Sequence, residues 1–197
     1  MAVDASAPEI AALGAAAVLR HGGLVAFPTE TFYGLGAAAL MPAAARRVVE
    51  VKGRPQGKPL LVLVDSLAMV ESIALEIPAA AHALMAAHWP GPLTLVLRAR
   101  PHVPAEVTAG SGTVGVRLSA HPLARALVRA LGQPVTAPSA NPADGAAPTT
   151  VTEVMAYFRS RVDLVLDDGP TAGGVPSTVV DVTVEPPRVL RTGAVRL

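Results

Sequence analysis

What most constrains this chain is that helix-forming and strand-forming stretches take turns along its whole length. Pro8 opens an Ala-rich helical stretch to residue 21, Gly22 and Gly23 stop it, and the short apolar run Leu24 to Phe27 follows. Pro42 opens a second helix ending near Gly53, ahead of the continuous apolar run Leu60 to Val64. Asp65 or Ser66 caps a third helix, Pro78 begins a fourth that ends at Trp89, and Leu93 to Leu97 reads as a strand. A strand over Val114 to Leu118, a helix from Pro122 to Leu131 closed by Gly132, and a short strand over Val135 to Ala137 come next. Thr149 or Thr150 caps a helix to about Phe158, and strands are expected near Leu164, Val179 and Val189. Interleaving of this kind argues an α/β domain with a mostly parallel or mixed sheet. At 197 residues, with no internal repeat or low-complexity linker, the chain is read as one domain over 1–197.

Composition removes several classes. A hydrophobic content of 51%, a mean hydropathy of +0.46 and 16% charged residues raise the question of a membrane span. The longest charge-free stretch, Ile77 to Leu97, is broken by Pro78, Pro90, Gly91 and Pro92 and contains His82 and His88, so it reads as core. Asp4 and Glu9 stand where a secretory leader needs a basic region, and a cytoplasmic location is expected. Without cysteine there are no disulfides, thiolate nucleophiles or cysteine zinc sites, and no metal site is expected from the five histidines. A net charge of +1 argues against holding nucleic acid over a broad basic face. The charge is local: Arg46, Arg47, Lys52, Arg54 and Lys58 against Glu50 give residues 46 to 58 a charge of +4, leaving −3 for the rest.

Four loops are richer in hydroxyls, amides and glycine than a connector needs. Lys52 and Lys58, the two lysines in a chain with fourteen arginines, flank Arg54 and suggest a phosphate grip, or else a solvated turn. The segment is not a Walker loop, since Pro59 stands where a Ser or Thr would hold magnesium. In the segment 27–36, Thr31 is a candidate hydrogen-bonding wall residue and Tyr33 a candidate lid, against the reading as a rigid capped turn. Thr113, Gly115 and Arg117 fall at period two and face one side of a strand, where the arginine requires an anion, from a ligand or from a structural ion pair. Ser139 and Asn141 share a side of an extended segment between Pro138 and Pro142, as a presented polar pair or as a turn.

Seven blocks in order carry a resemblance across nearly the whole chain. They are 28–31 with 33–36, the K-x-R of Lys52 and Arg54 with 58–60, 89–94, 115–117, the S-x-N of Ser139 and Asn141, 176–181, and 190–193. Together they resemble the YrdC-like family of L-threonylcarbamoyladenylate synthases, in its single-domain bacterial form. The resemblance implies a twisted mixed α/β sheet with a deep, positively lined cavity, in which L-threonine, bicarbonate or CO2, and ATP become threonylcarbamoyl-AMP and pyrophosphate. By similarity, Arg54 and Lys58 contact the phosphates with Lys52 beside them, and Lys52 and Arg54 carry the catalytic charge. Thr113, Ser139 and Asn141 hold the nucleotide and Arg191 closes on it, while Thr31, Arg117 and Ser177 surround threonine. Leu63 stands where many longer family members have a histidine.

On this reading, threonine carbamate attacks the α-phosphate in line, and positioning and charge carry the rate. Mg2+ travels with ATP rather than on protein ligands. A separate tRNA threonylcarbamoyltransferase machinery uses the product, direct tRNA binding is weak or absent, and no membrane is involved. The alternatives are an RNA-binding module for double-stranded RNA or tRNA, and a carbamoyl-transfer maturation domain.

Overall fold

The computed structural model describes residues 1–5, 7–53 and 57–197. Arg54 therefore lies outside the described residues, and the expectation placed on it gains no geometry. In chain order the elements are β1 (Ala2–Asp4), α1 (Pro8–Arg20), β2 (Val25–Phe27), β3 (Gly34–Gly36), α2 (Pro42–Lys52), β4 (Leu61–Leu63), α3 (Leu67–Ile73), α4 (Ala79–His88) and β5 (Leu93–Arg98). They continue with α5 (Ala105–Thr108), β6 (Thr113–Arg117), α6 (Pro122–Leu131), β7 (Val135–Thr136), α7 (Val151–Phe158), β8 (Leu164–Asp167), β9 (Thr178–Asp181) and β10 (Arg188–Arg191). Ser66 caps α3 by accepting from the Met69 amide, and Thr150 with Glu153 forms a capping box on α7.

The mixed α/β class expected from the alternation holds, but the strands divide into two sheets rather than one. A four-stranded sheet runs β1-β8-β2-β3, and a six-stranded sheet runs β10-β9-β5-β6-β4-β7, each with parallel and antiparallel pairs. Isolated bridges Gly34 to Ser139 and Ala38 to Val135 join the two. α1 and α6 cover one face of the smaller sheet, burying Ala12, Ala16 and Leu19 with Leu123, Leu127 and Leu131 against Val25, Phe27 and Leu166. The opposite face, with Ala26 and Val165, joins the core of the larger sheet, so β2 and β8 are buried on both sides as their uninterrupted apolar runs require. Among the described residues no helix is long and apolar enough to cross a membrane.

One face of the six-stranded sheet is left for the site. Leu95 and Leu97 on β5 and Val114 and Val116 on β6 enter the core, so the alternating residues Thr94, Val96, Thr113, Gly115 and Arg117 face the other way. The register places Val96 opposite Gly115, where the bare backbone leaves room above the sheet.

Candidate active site

A cavity of about 580 Å³ lies over that face, with walls from the segment 29–34, from Pro59 to Leu61, from Pro138 and Ser139, and from Pro176, Ser177, Leu190 and Arg191. Arg117 and Arg191 are the charged side chains among its described lining residues. The period-two expectation for Thr113, Gly115 and Arg117 is met, since all three line it.

Arg117 is 3% exposed, and the structural ion pair is present. It reaches the cavity, and its Nη2 lies 2.7 Å from Glu30 Oε1 in an ion pair. Both its terminal nitrogens donate to Thr31 Oγ1 at 3.3 Å, while its buried Nε has no partner among the described residues. Thr31 is held in turn by Thr29 Oγ1 at 3.0 Å. Burial pushes the Glu30 carboxyl up, but the Arg117 charge and the hydrogen bonds from Ser119 and Arg117 outweigh it, leaving the group below its ordinary value.

Arg191 faces Arg117 from the last strand. Its Nη2 donates to Ser177 O at 2.8 Å and to Ser177 Oγ at 3.0 Å, and Ser177 Oγ meets Thr94 Oγ1 at 2.9 Å. Burial first, and the positive charge of Arg117 second, lower the Arg191 guanidinium from its ordinary value. The two cations disfavour each other on one cavity, and the carboxylate of Glu30 pairs with Arg117 alone. Gly193 lets this strand approach, because a Cβ there would stand 2.3 Å from Pro176 O and 2.5 Å from Thr178 N.

Thr31, Thr113, Arg117, Ser139, Ser177 and Arg191 are thus brought together, whereas Lys52, Lys58 and Asn141 do not line the cavity. Lys52 is not on a loop, as its neighbours suggested. It ends α2 at 3% exposure, and its ammonium donates to the carbonyls of Ser139 and Asn141. Lys58 is exposed next to the lining residue Pro59. Asn141 turns its amide to Pro142 O and Gly145 O, so the side chain closes its own turn. Tyr33 is no lid: it is fully buried as a fixed wall, its hydroxyl donating to Gly169 O at 2.8 Å. Leu63 is buried against α6. Glu30, Thr29 and Thr94 were not singled out for roles by the sequence reading, although Glu30 sits inside the 28–31 block and Thr94 ends the 89–94 block.

Fold and cavity define an α/β protein of two linked mixed sheets with a pocket lined by two arginines. The Sua5/YciO/YrdC family model, described as Telomere recombination, matches residues 17–193, and the chain belongs to that family. The threonylcarbamoyl-AMP synthase of Pyrococcus abyssi is 45% identical over 183 residues, covering 93% of this chain and 54% of that protein. The threonylcarbamoyl-AMP synthase of Thiobacillus denitrificans is 37% identical over 177 residues, covering 90% of this chain and 94% of that protein. Among solved structures, P. abyssi Sua5 complexed with L-threonine superposes with a TM-score of 0.93 at 44% identity, over 98% of this chain and 57% of that one. E. coli YciO superposes at 0.85 and 27% identity, over 94% of this chain and 90% of that one. The chain spans about half the length of the P. abyssi and Bacillus subtilis synthases.

Proposed function

We propose that this chain joins L-threonine, bicarbonate or CO2, and ATP into threonylcarbamoyl-AMP, releasing pyrophosphate. The observation that carries the proposal is the pairing of Arg117 and Arg191 on one cavity, with Glu30 answering only the first, in a fold that superposes on a threonine-bound relative. Arg117, with Thr31 beside it, takes the threonine carboxylate, and Ser177 lies at the boundary with the nucleotide. Thr113, Ser139 and Arg191 hold the nucleotide, with Arg54 and Lys58 at its phosphates. Lys52 and Asn141 support this arrangement from behind the Ser139 segment.

The chemistry asks little covalent work of the protein. The threonine amine adds to CO2, a carbamate oxygen attacks the α-phosphorus, and the bond to the bridging oxygen breaks as pyrophosphate leaves. Fixed cations favour this by holding two anions close together and by meeting the charge on the leaving group. Among the described residues no group of three His, Asp or Glu side chains gathers to hold an ion, and Glu30 is committed to Arg117. Mg2+ enters as part of the substrate, on the triphosphate, because the ion keeps several waters and takes few protein ligands. The product passes to a separate tRNA threonylcarbamoyltransferase machinery in the cytoplasm, with weak or no direct tRNA contact by this chain and no membrane.

Pyrophosphate release from ATP should require threonine and bicarbonate together. Release at the same rate with either omitted would overturn the assignment, as would tight, salt-resistant binding of RNA in place of turnover.

A further inference from the structure

Glu30 sits between Thr29 and Thr31, both on the cavity wall, yet is itself absent from the described lining and lies against Arg117. We propose that Glu30 is a positioning residue that sets the Arg117 guanidinium for an amino-acid carboxylate; the inference rests on the threonine reading of the cavity.

Arginine has a long side chain with considerable rotamer freedom, and here it rises from a sheet beside a second arginine that repels it. Left alone, the guanidinium would move away from Arg191 and lose a defined direction. Glu30 opposes this through a contact of 2.7 Å to Nη2. Glu30 is fixed in turn: Ser119, 1% exposed, donates its hydroxyl to Glu30 Oε2 and accepts from the His121 amide at 3.2 Å. With Thr31 Oγ1 as a second tether, the terminal nitrogens are pinned while the Nε hydrogen stays unmet in a buried position. The tether fastens β6 to the 29–34 segment and fixes the direction in which Arg117, a lining residue, meets the cavity.

The experiment is calorimetric titration of the intact chain with L-threonine, alone and with a non-hydrolysable ATP analogue, alongside titration with the analogue itself. Glu30→Ala should weaken threonine by about tenfold or more, the equivalent of about 1.4 kcal/mol, and leave the analogue's affinity in place. Glu30→Gln should recover part of the loss, because its amide keeps the Ser119 contact and its place beside Arg117 while giving up the charge. Equal threonine affinity in Glu30→Ala and the unaltered chain would overturn the proposal, as would a Gln variant no better than Ala. If Glu30→Ala does not fold, Ser119→Ala takes its place: it should weaken threonine but not the analogue, and unchanged threonine affinity would overturn the idea. Failure of the unaltered chain to bind threonine at all would instead defeat the threonine reading, and this inference with it.

Discussion

The ammonium of Lys52 stands 2.5 Å from the carbonyl oxygens of both Ser139 and Asn141. A compact head with three donors can serve two carbonyls two residues apart in a space where a planar fork would meet them poorly. This gives a reason for a lysine at position 52 of a chain that otherwise uses arginine almost throughout. It also gives Lys52 a part in supporting the segment that carries Ser139.

Lys52→Ala should therefore cost stability as well as activity. Two buried acceptors lose a charged donor, worth about 1.5–3 kcal/mol per bond, and Lys52→Arg should not restore the loss. Lys58→Ala, on an exposed side chain, should stay within about 0.5 kcal/mol of the unaltered stability while weakening nucleotide binding. Urea unfolding and nucleotide titration, run in parallel, separate the two lysines.

Arg117→Ala should abolish threonine and serine binding alike, since both bring the same carboxylate. Removing one partner of a buried pair costs roughly 3–5 kcal/mol. The pH dependence should flatten. In the unaltered chain the Glu30 carboxyl is held below its ordinary 4.5, so its contribution is present above that pH and is lost as pH falls through the lowered value. Without Arg117 its charge and hydrogen bond no longer oppose burial, and the Ser119 and backbone hydrogen bonds alone hold Glu30 down, so the variant should lose less stability on acidification. Parallel stability curves for the two proteins would contradict the ion pair.

The sequence alternation located most helices and core strands because each carried a local signal: Pro8, Pro42 and Pro122 at helix starts, Ser66 and Thr150 as caps, and apolar runs between. Two strands were not legible. β1 is three residues with no apolar run, held by parallel pairing to distant β8. β3 reads Gly-Leu-Gly, poor strand chemistry, and is held as a strand by antiparallel pairing to β2, with Gly36 leaving room for the Phe27 ring that a Cβ would meet at 2.7 Å. Period two gave the direction of Arg117, but no local pattern reveals that Glu30, 87 positions earlier in the chain, is its partner. The burial of Tyr33 and Lys52 likewise depends on segments more than 80 residues away, Gly169 in one case and Ser139 in the other.

Gly193→Ala should disable the nucleotide end of the cavity without touching a polar group. The added methyl would meet backbone atoms of Pro176, Ser177 and Thr178, which cannot swing aside, so the last strand must retreat and take Arg191 from Ser177. A loss of about 1–3 kcal/mol in stability should accompany weaker nucleotide binding, while threonine binding suffers less. Nucleotide affinity equal to that of the unaltered chain would show that Arg191 does not close on the nucleotide.

Tyr33 should leave an alkaline signature. Burial first and the Asp167 charge second push its hydroxyl up to about 12 from 10.0. A folded value above the unfolded one means that the stabilisation is complete below pH 10 and is lost as pH rises toward 12. Tyr33→Phe, lacking the bond to Gly169, should be less stable at pH 8 but fall less steeply between pH 10 and 12. Unfolding midpoints measured across that range check both halves.

The central claim is that threonine, bicarbonate and ATP become one molecule in the Arg117–Arg191 cavity, and labelled bicarbonate tests it most directly. Incubation with ATP and threonine should place the labelled carbon in an adenylate that also contains threonine, equimolar with pyrophosphate, and Arg117→Ala should form none. Pyrophosphate without labelled adenylate, or a labelled adenylate formed without threonine, would contradict the account.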